Sequence, residues 1–189
     1  MELELLDSFD RALDEFGHRV QRVGDGQWDA PTPCTEWSVR DLVGHVTGEQ
    51  LWAPWLLRGA SLDEVGDRFD GDVLGDDPAG AWAAAAAASR GAFHRPGALD
   101  APVHTGSGLT PATDYLRQMT LDLTVHAWDL AQGIGADDAL DGELVASELG
   151  FAESQIDGWQ DSGLFDPPVR VGDEARPQDR LVALLGRRP

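Results

Sequence analysis

Leu6, Phe9, Leu13, Phe16, Val20 and Val23 recur at alternating steps of three and four along residues 3–23, with acids and arginines between them. That spacing gathers the apolar side chains on one stripe and predicts an amphipathic helix, with His18 a solvated residue on it. Residues 24–33 break the pattern with glycines and prolines around Trp28. Ser38, followed three residues later by Asp41, then reads as a capping box opening a second helix. Leu42, Val43, Val46 and Leu51 supply its buried side. His45 faces inward among them, and Glu49 lies one turn further on. Pro54 is expected to kink or end this helix, and Trp52 and Trp55 to pack at the bundle surface or entrance.

Residues 59–77 read as an acidic connector. Asp77-Pro78 then supplies a cap and a first-turn proline for a helix over 78–94, whose alanine run favours helix and close packing. Residues 97–109 read as a loop or short extended piece. Thr110-Pro111 is expected to open a long helix to about Gln132, stopped by Gly133 and Gly135. A shorter helix from Asp141 to about Gly158, an extended segment over 165–169 and a last helical stretch over 177–185 complete the chain. No repeat, heptad or hairpin is evident. The expectation is one all-α domain over 1–189: a four-helix-bundle core over 1–135, then an additional C-terminal helix and short extended tail over 136–189.

Composition narrows the functional classes. At 189 residues the chain can bury a substantial core, and its 42% hydrophobic content is ordinary for a globular domain. A net charge of −20 argues against nucleic acid and anionic membranes as partners. No apolar run approaches the roughly 18 residues a membrane helix needs. The acidic, amphipathic start Met-Glu-Leu-Glu-Leu-Leu does not read as a secretory signal. With Cys34 the single cysteine, an intrachain disulfide is excluded, and a reducing cytoplasm is the expected location.

The long helix over 112–132 carries the candidate chemistry. Asp122 and His126 are four residues apart and so lie one above the other on one face, with Asp129 close to the same stripe. Spacing alone leaves two readings open: a shared metal ion, or a core histidine satisfied by a carboxylate. His45 supplies a third inward-facing donor from a neighbouring helix, and facing helices about 8–10 Å apart make a joint site workable. Two imidazoles and a carboxylate suit Zn²⁺ with an open position, yet also describe non-haem Fe(II) sites. Glu49 is a reserve ligand, and Asp129 a candidate to orient one. Trp37 and Trp128 read as packing anchors, His94 and His104 as surface residues. Cys34 beside a helix start lacks a base that would make it a nucleophile. No Ser-His-Asp pattern, paired-carboxylate spacing or basic stripe is present.

Two segments carry a resemblance. Thr32-Pro33-Cys34-Thr35-Glu36-Trp37-Ser38-Val39-Arg40-Asp41-Leu42-Val43-Gly44-His45 is similar to the opening of DinB-like four-helix-bundle proteins. More narrowly, it resembles the N-terminal domain of the mycothiol-dependent maleylpyruvate isomerase family. Asp122-Leu123-Thr124-Val125-His126-Ala127-Trp128-Asp129-Leu130-Ala131 resembles that family's second signature. The tail Gln178–Arg187 resembles its short actinobacterial branch. The resemblance implies a divalent metal held by His45, Asp122 and His126, with Zn²⁺ the first expectation and Ni²⁺ or Fe²⁺ as alternatives. It also implies mycothiol or a similar low-molecular-weight thiol as cosubstrate for a transferase or isomerase acting on a small electrophile. The chain departs from the isomerase in carrying Asp rather than Glu at 122, and it is expected to lack the second domain that follows in the isomerase. The expected partners are that thiol and a small molecule, and a homodimer is compatible with the pattern. The competing functions are a non-catalytic metal- or ligand-binding bundle and a metal-dependent hydrolase.

Overall fold

The computed structural model describes residues 2–160 and 166–189. In chain order its elements are α1 (Glu2–Val20), α2 (Val39–Leu56), α3 (Leu62–Val65), α4 (Pro78–Phe93), β1 (Pro102–Thr105), β2 (Gly108–Pro111), α5 (Ala112–Ile134), α6 (Gly142–Gln160) and α7 (Pro177–Leu184). α1, α2, α4 and α5 form a helical bundle, with α1 laid along α5 and α2 along α4. α6 packs on α5, and α7 folds back on α6.

The apolar stripes meet as their spacing dictates. Phe9, Leu13, Phe16 and Val20 of α1 share one buried core with Leu116, Leu123 and Leu130 of α5 and Leu42, Val43 and Val46 of α2. Phe9 meets Phe93 edge-on with centroids 4.8 Å apart, and Phe16 meets Trp82 at 4.7 Å, which ties α1 to α4. Each such buried side chain is worth about 1.5–3 kcal/mol relative to exposure. The bundle therefore holds α2 and α5 in a fixed relation on either side of the site.

Helix starts follow their capping chemistry. The Ser38 hydroxyl accepts from the Asp41 backbone N–H, and the Asp41 carboxylate accepts from Ser38 N in return. The Asp77 carboxylate accepts from Gly80 N at 3.0 Å, with Pro78 in the first turn. Pro54 lies in the last turn of α2, which ends two residues later, as the missing N–H requires.

Three local expectations are corrected. Residues 59–77 are not a plain connector: Ser61 and Glu64 form a second capping box around the one-turn α3. Residues 102–111 form an antiparallel hairpin in which Val103 faces Thr110 and Thr105 faces Gly108 across Gly106 and Ser107. Thr110 and Pro111 therefore belong to β2 rather than to the first turn of the long helix. Phe165, expected to begin the extended segment, lies outside the described residues.

Candidate metal centre

Three pieces of chain deliver the site. α5 sets Tyr115, Met119, Asp122 and His126 on one stripe at helical spacing. α2 brings His45 and Glu49 to the facing side. The loop before α2 lays Cys34 and Trp37 across them. That loop is pinned at both ends: Val39 N donates to Ala30 O at 2.9 Å, Arg40 N to Trp28 O at 2.8 Å, and Gln27 Nε2 to Ile134 O at 2.9 Å. Gly133 is what lets the loop approach α5 closely. A Cβ there would stand 3.1 Å from Val39 Cγ2 and 3.3 Å from the Pro31 carbonyl.

The fold brings all three expected donors together. His126 Nε2 is 3.3 Å from Asp122 Oδ1, and His45 Nε2 is 3.7 Å from Asp122 Oδ2. One donor atom from each residue lies within 4.8 Å of the other two. The His45 contact is an ion-pair distance rather than a hydrogen bond. Asp122 Oδ2 is accordingly buried without a hydrogen-bond partner among the described residues. Donors bonded at about 2.0–2.2 Å to a tetrahedral ion sit roughly 3.3–3.5 Å apart. The spacing, the donor chemistry and the orphaned oxygen all fit a divalent cation.

Burial pushes the Asp122 carboxyl up, but the charges of His126 and then His45 outweigh it and hold it well below the ordinary range. His126 shows the mirror case. Burial lowers it, and Asp122, followed by the hydrogen bonds of Asp129 and Cys34, drives it well above the ordinary imidazole value. Both shifts favour an imidazolium–carboxylate pair, and a bound metal would take the place of its proton.

Asp129 backs this arrangement. It has no exposed surface, and its Oδ2 is 2.9 Å from His126 Nδ1, where it accepts that ring N–H and leaves Nε2 free to face Asp122. Arg187 holds Asp129 in turn, with Nη2 donating to Oδ2 at 2.8 Å and Nε to Oδ1 at 3.3 Å. The Cys34 thiol donates to Asp129 Oδ2 at 3.3 Å and accepts from Arg187 Nη2 at 3.4 Å. Cys34, His126 and Asp129 thus make a second close donor group sharing His126. There the carboxylate is already committed to an arginine.

A cavity of about 820 Å³ opens over the three donors. A second, of about 650 Å³ and bordered by Trp52, Phe69 and Leu74, meets it at Trp37, His45 and Glu49. Glu49 is not part of either close donor group; burial, and after it the Asp122 charge, raises its carboxyl above the ordinary value. Trp37 is more than a packing anchor. Its ring lies 4.7 Å from that of His45 and 5.8 Å from that of His126, centroid to centroid, and walls both cavities. Trp128, by contrast, is a buried core residue. His94 is exposed and paired with Asp10, and His104 lies exposed on β1. The reading from sequence missed Arg187 and Tyr115. Arg187 is 58 residues from Asp129, and no local pattern links them. Tyr115 carried a signal, since it is seven residues before Asp122 on the same helical stripe.

Comparison with known proteins identifies the family and the fold. Residues 9–131 match the family described as the mycothiol maleylpyruvate isomerase N-terminal domain. Uncharacterized proteins from two strains of Mycobacterium tuberculosis are 36% identical over 184 residues, covering 94% of this chain and 94% of their own. The crystal structure of the mycothiol-dependent maleylpyruvate isomerase superposes with a TM-score of 0.65 at 16% identity, over 86% of this chain and 72% of that one, which shows the shared fold. The chain belongs to the mycothiol maleylpyruvate isomerase N-terminal domain family.

Proposed function

We propose that this protein binds a divalent metal through His45, Asp122 and His126 and uses it in a thiol-dependent transfer to, or isomerisation of, a small electrophile. The observation that carries the reading is the three-donor group itself, which opens onto the larger cavity, while the smaller cavity reaches its His45. Zn²⁺ suits the donor set best, with Ni²⁺ and Fe²⁺ as competitors. When bound, such a cation supplies stabilisation of a coordinating thiolate, raising its population at neutral pH.

The chain's own residues do the remaining work. Asp129 fixes the ring of His126 through Nδ1, and Arg187 neutralises the buried carboxylate that does so. Trp37 lies against both imidazole rings, with His126 buried and His45 partly open to the cavities. The isomerase whose crystal structure shares this fold is mycothiol-dependent, which supports mycothiol as the thiol. Asp122 reaches one methylene less far than Glu.

The test is conjugation of a model electrophile by the metal-loaded protein, with and without mycothiol. The expected result is product formation that requires the thiol and is lost in His45→Ala. Equal product without thiol would assign the site to hydrolysis by activated water. Stoichiometric metal with no turnover across a broad panel would leave a binding module.

A further inference from the structure

Tyr115 lines the larger cavity on the same α5 stripe as Asp122 and His126. It is 5% exposed, and its hydroxyl is buried with no hydrogen-bond partner among the described residues. Buried polar groups are normally paired, and an unpaired hydroxyl is a standing cost to folding. An unpaired donor on a residue that lines a cavity is available to an occupant that reaches it. Burial, then the charges of Glu49 and Asp122, push this phenol far above its ordinary value. It therefore stays protonated and offers an O–H.

The charges around the cavity point the same way. Among the described residues that line it, Arg187 is the one arginine. Its charge is already paired: Asp129 accepts from Nε and Nη2, and the Leu185 carbonyl accepts from Nη1 at 2.8 Å. Glu36, Glu49 and Asp166 also line the cavity. A carboxylate carried away from the three donors meets acids and no free cation, and desolvating it unpaired is costly. A carbonyl oxygen asks only for a neutral donor, which Tyr115 provides.

We propose that this cavity selects an uncharged electrophile whose carbonyl-type oxygen accepts from the Tyr115 hydroxyl, and that it disfavours dicarboxylates. The inference rests on the thiol-transfer reading of the site and narrows its substrate class. It also sets this chain apart from an enzyme whose substrate is a dianion.

The experiment titrates the metal-loaded protein with two unreactive probes of one carbon skeleton, N-ethylsuccinimide and succinate, following the fluorescence of the cavity tryptophans Trp37 and Trp159. The expected result is N-ethylsuccinimide binding at least tenfold more tightly than succinate. Tyr115→Phe should weaken N-ethylsuccinimide roughly threefold to tenfold, the worth of one neutral hydrogen bond, without lowering the melting temperature. Gln118→Arg, at an exposed position on the cavity wall, should raise succinate affinity about tenfold by supplying the missing cation. Succinate bound as tightly as N-ethylsuccinimide, neither probe binding, or an N-ethylsuccinimide affinity indifferent to Tyr115→Phe each overturns the inference. If the probes behave as expected but thiol is never transferred to N-ethylmaleimide, the transfer reading fails while the selectivity stands.

Discussion

Asp129 is the residue on which the site's precision depends. It is fully buried, bonded to His126 on one side and to Arg187 on the other, and also accepts from the Cys34 thiol. Removing one partner of a buried charge pair costs about 3–5 kcal/mol, because the other charge is left uncompensated. Losing the carboxylate behind a ligating imidazole typically costs tenfold to a hundredfold in metal affinity. Asp129→Asn should therefore lower both thermal stability and the affinity measured by chelator competition. Unchanged affinity would mean that His126 does not need this partner. The Asp122–His126 pair was legible in the sequence because both residues sit on one helix at fixed spacing. Arg187 was not, because it reaches Asp129 through tertiary folding alone.

At the scale of elements, the close approach between the loop before α2 and the end of α5 is the feature that places Trp37 and Cys34. Gly133→Ala would press its methyl on Val39, Thr32 and the Pro31 carbonyl. Overpacking of this kind costs about 1–3 kcal/mol, more than the propensity gain of up to about 1 kcal/mol returns. The same substitution at Gly150, in α6 with open space around it, should stabilise by about 0.5–1 kcal/mol. Urea melts of the two variants test the contrast, and equal effects at both positions would deny that the loop and α5 are in tight contact. α6 carries a second test. Glu148 is 3% exposed with Oε2 unpartnered, and burial raises its carboxyl from 4.5 to about 7, against the smaller opposing pulls of Ser147 and Arg117. An acid raised on folding costs nothing below its unfolded value, so stability falls as pH climbs from 4.5 to about 7 and stays low above. At about 1.4 kcal/mol per unit the loss is on the order of 3 kcal/mol. Glu148→Gln should match the parent at acid pH and melt higher near pH 8; parallel melting curves across that range would contradict the buried-carboxyl account. The long elements were readable from periodicity and caps. α3 and the hairpin were not, although Ser61 with Glu64, and Gly106-Ser107 between short extended runs, did carry the signals. Each presents only one buried residue, Val65 and Val103, so neither leaves an apolar pattern long enough to declare a period.

For the molecule as a whole, the bundle serves to hold α2 and α5 at a fixed distance, and the tail closes the far side of the site. Val169 N donates to Ala183 O at 2.8 Å, and α7 delivers Arg187 to the core just beyond its end. The net charge of −20 agrees with a cavity poor in free cations. The fold class was legible in helical periodicity, and the closeness of His45, Asp122 and His126 was legible in helical spacing taken together with the family resemblance. What surrounds the donors is assembled from residues far apart in sequence, and only the folded chain shows it. The account stands on His45, Asp122 and His126 binding one cation together. Elemental analysis of the purified protein, loaded with Zn²⁺ and freed of excess, measures this directly. The account predicts about one ion per chain, lost in both His126→Ala and Asp122→Asn, with a melting temperature that falls on chelation. A metal-free protein whose stability and metal uptake are unchanged by His126→Ala would contradict it.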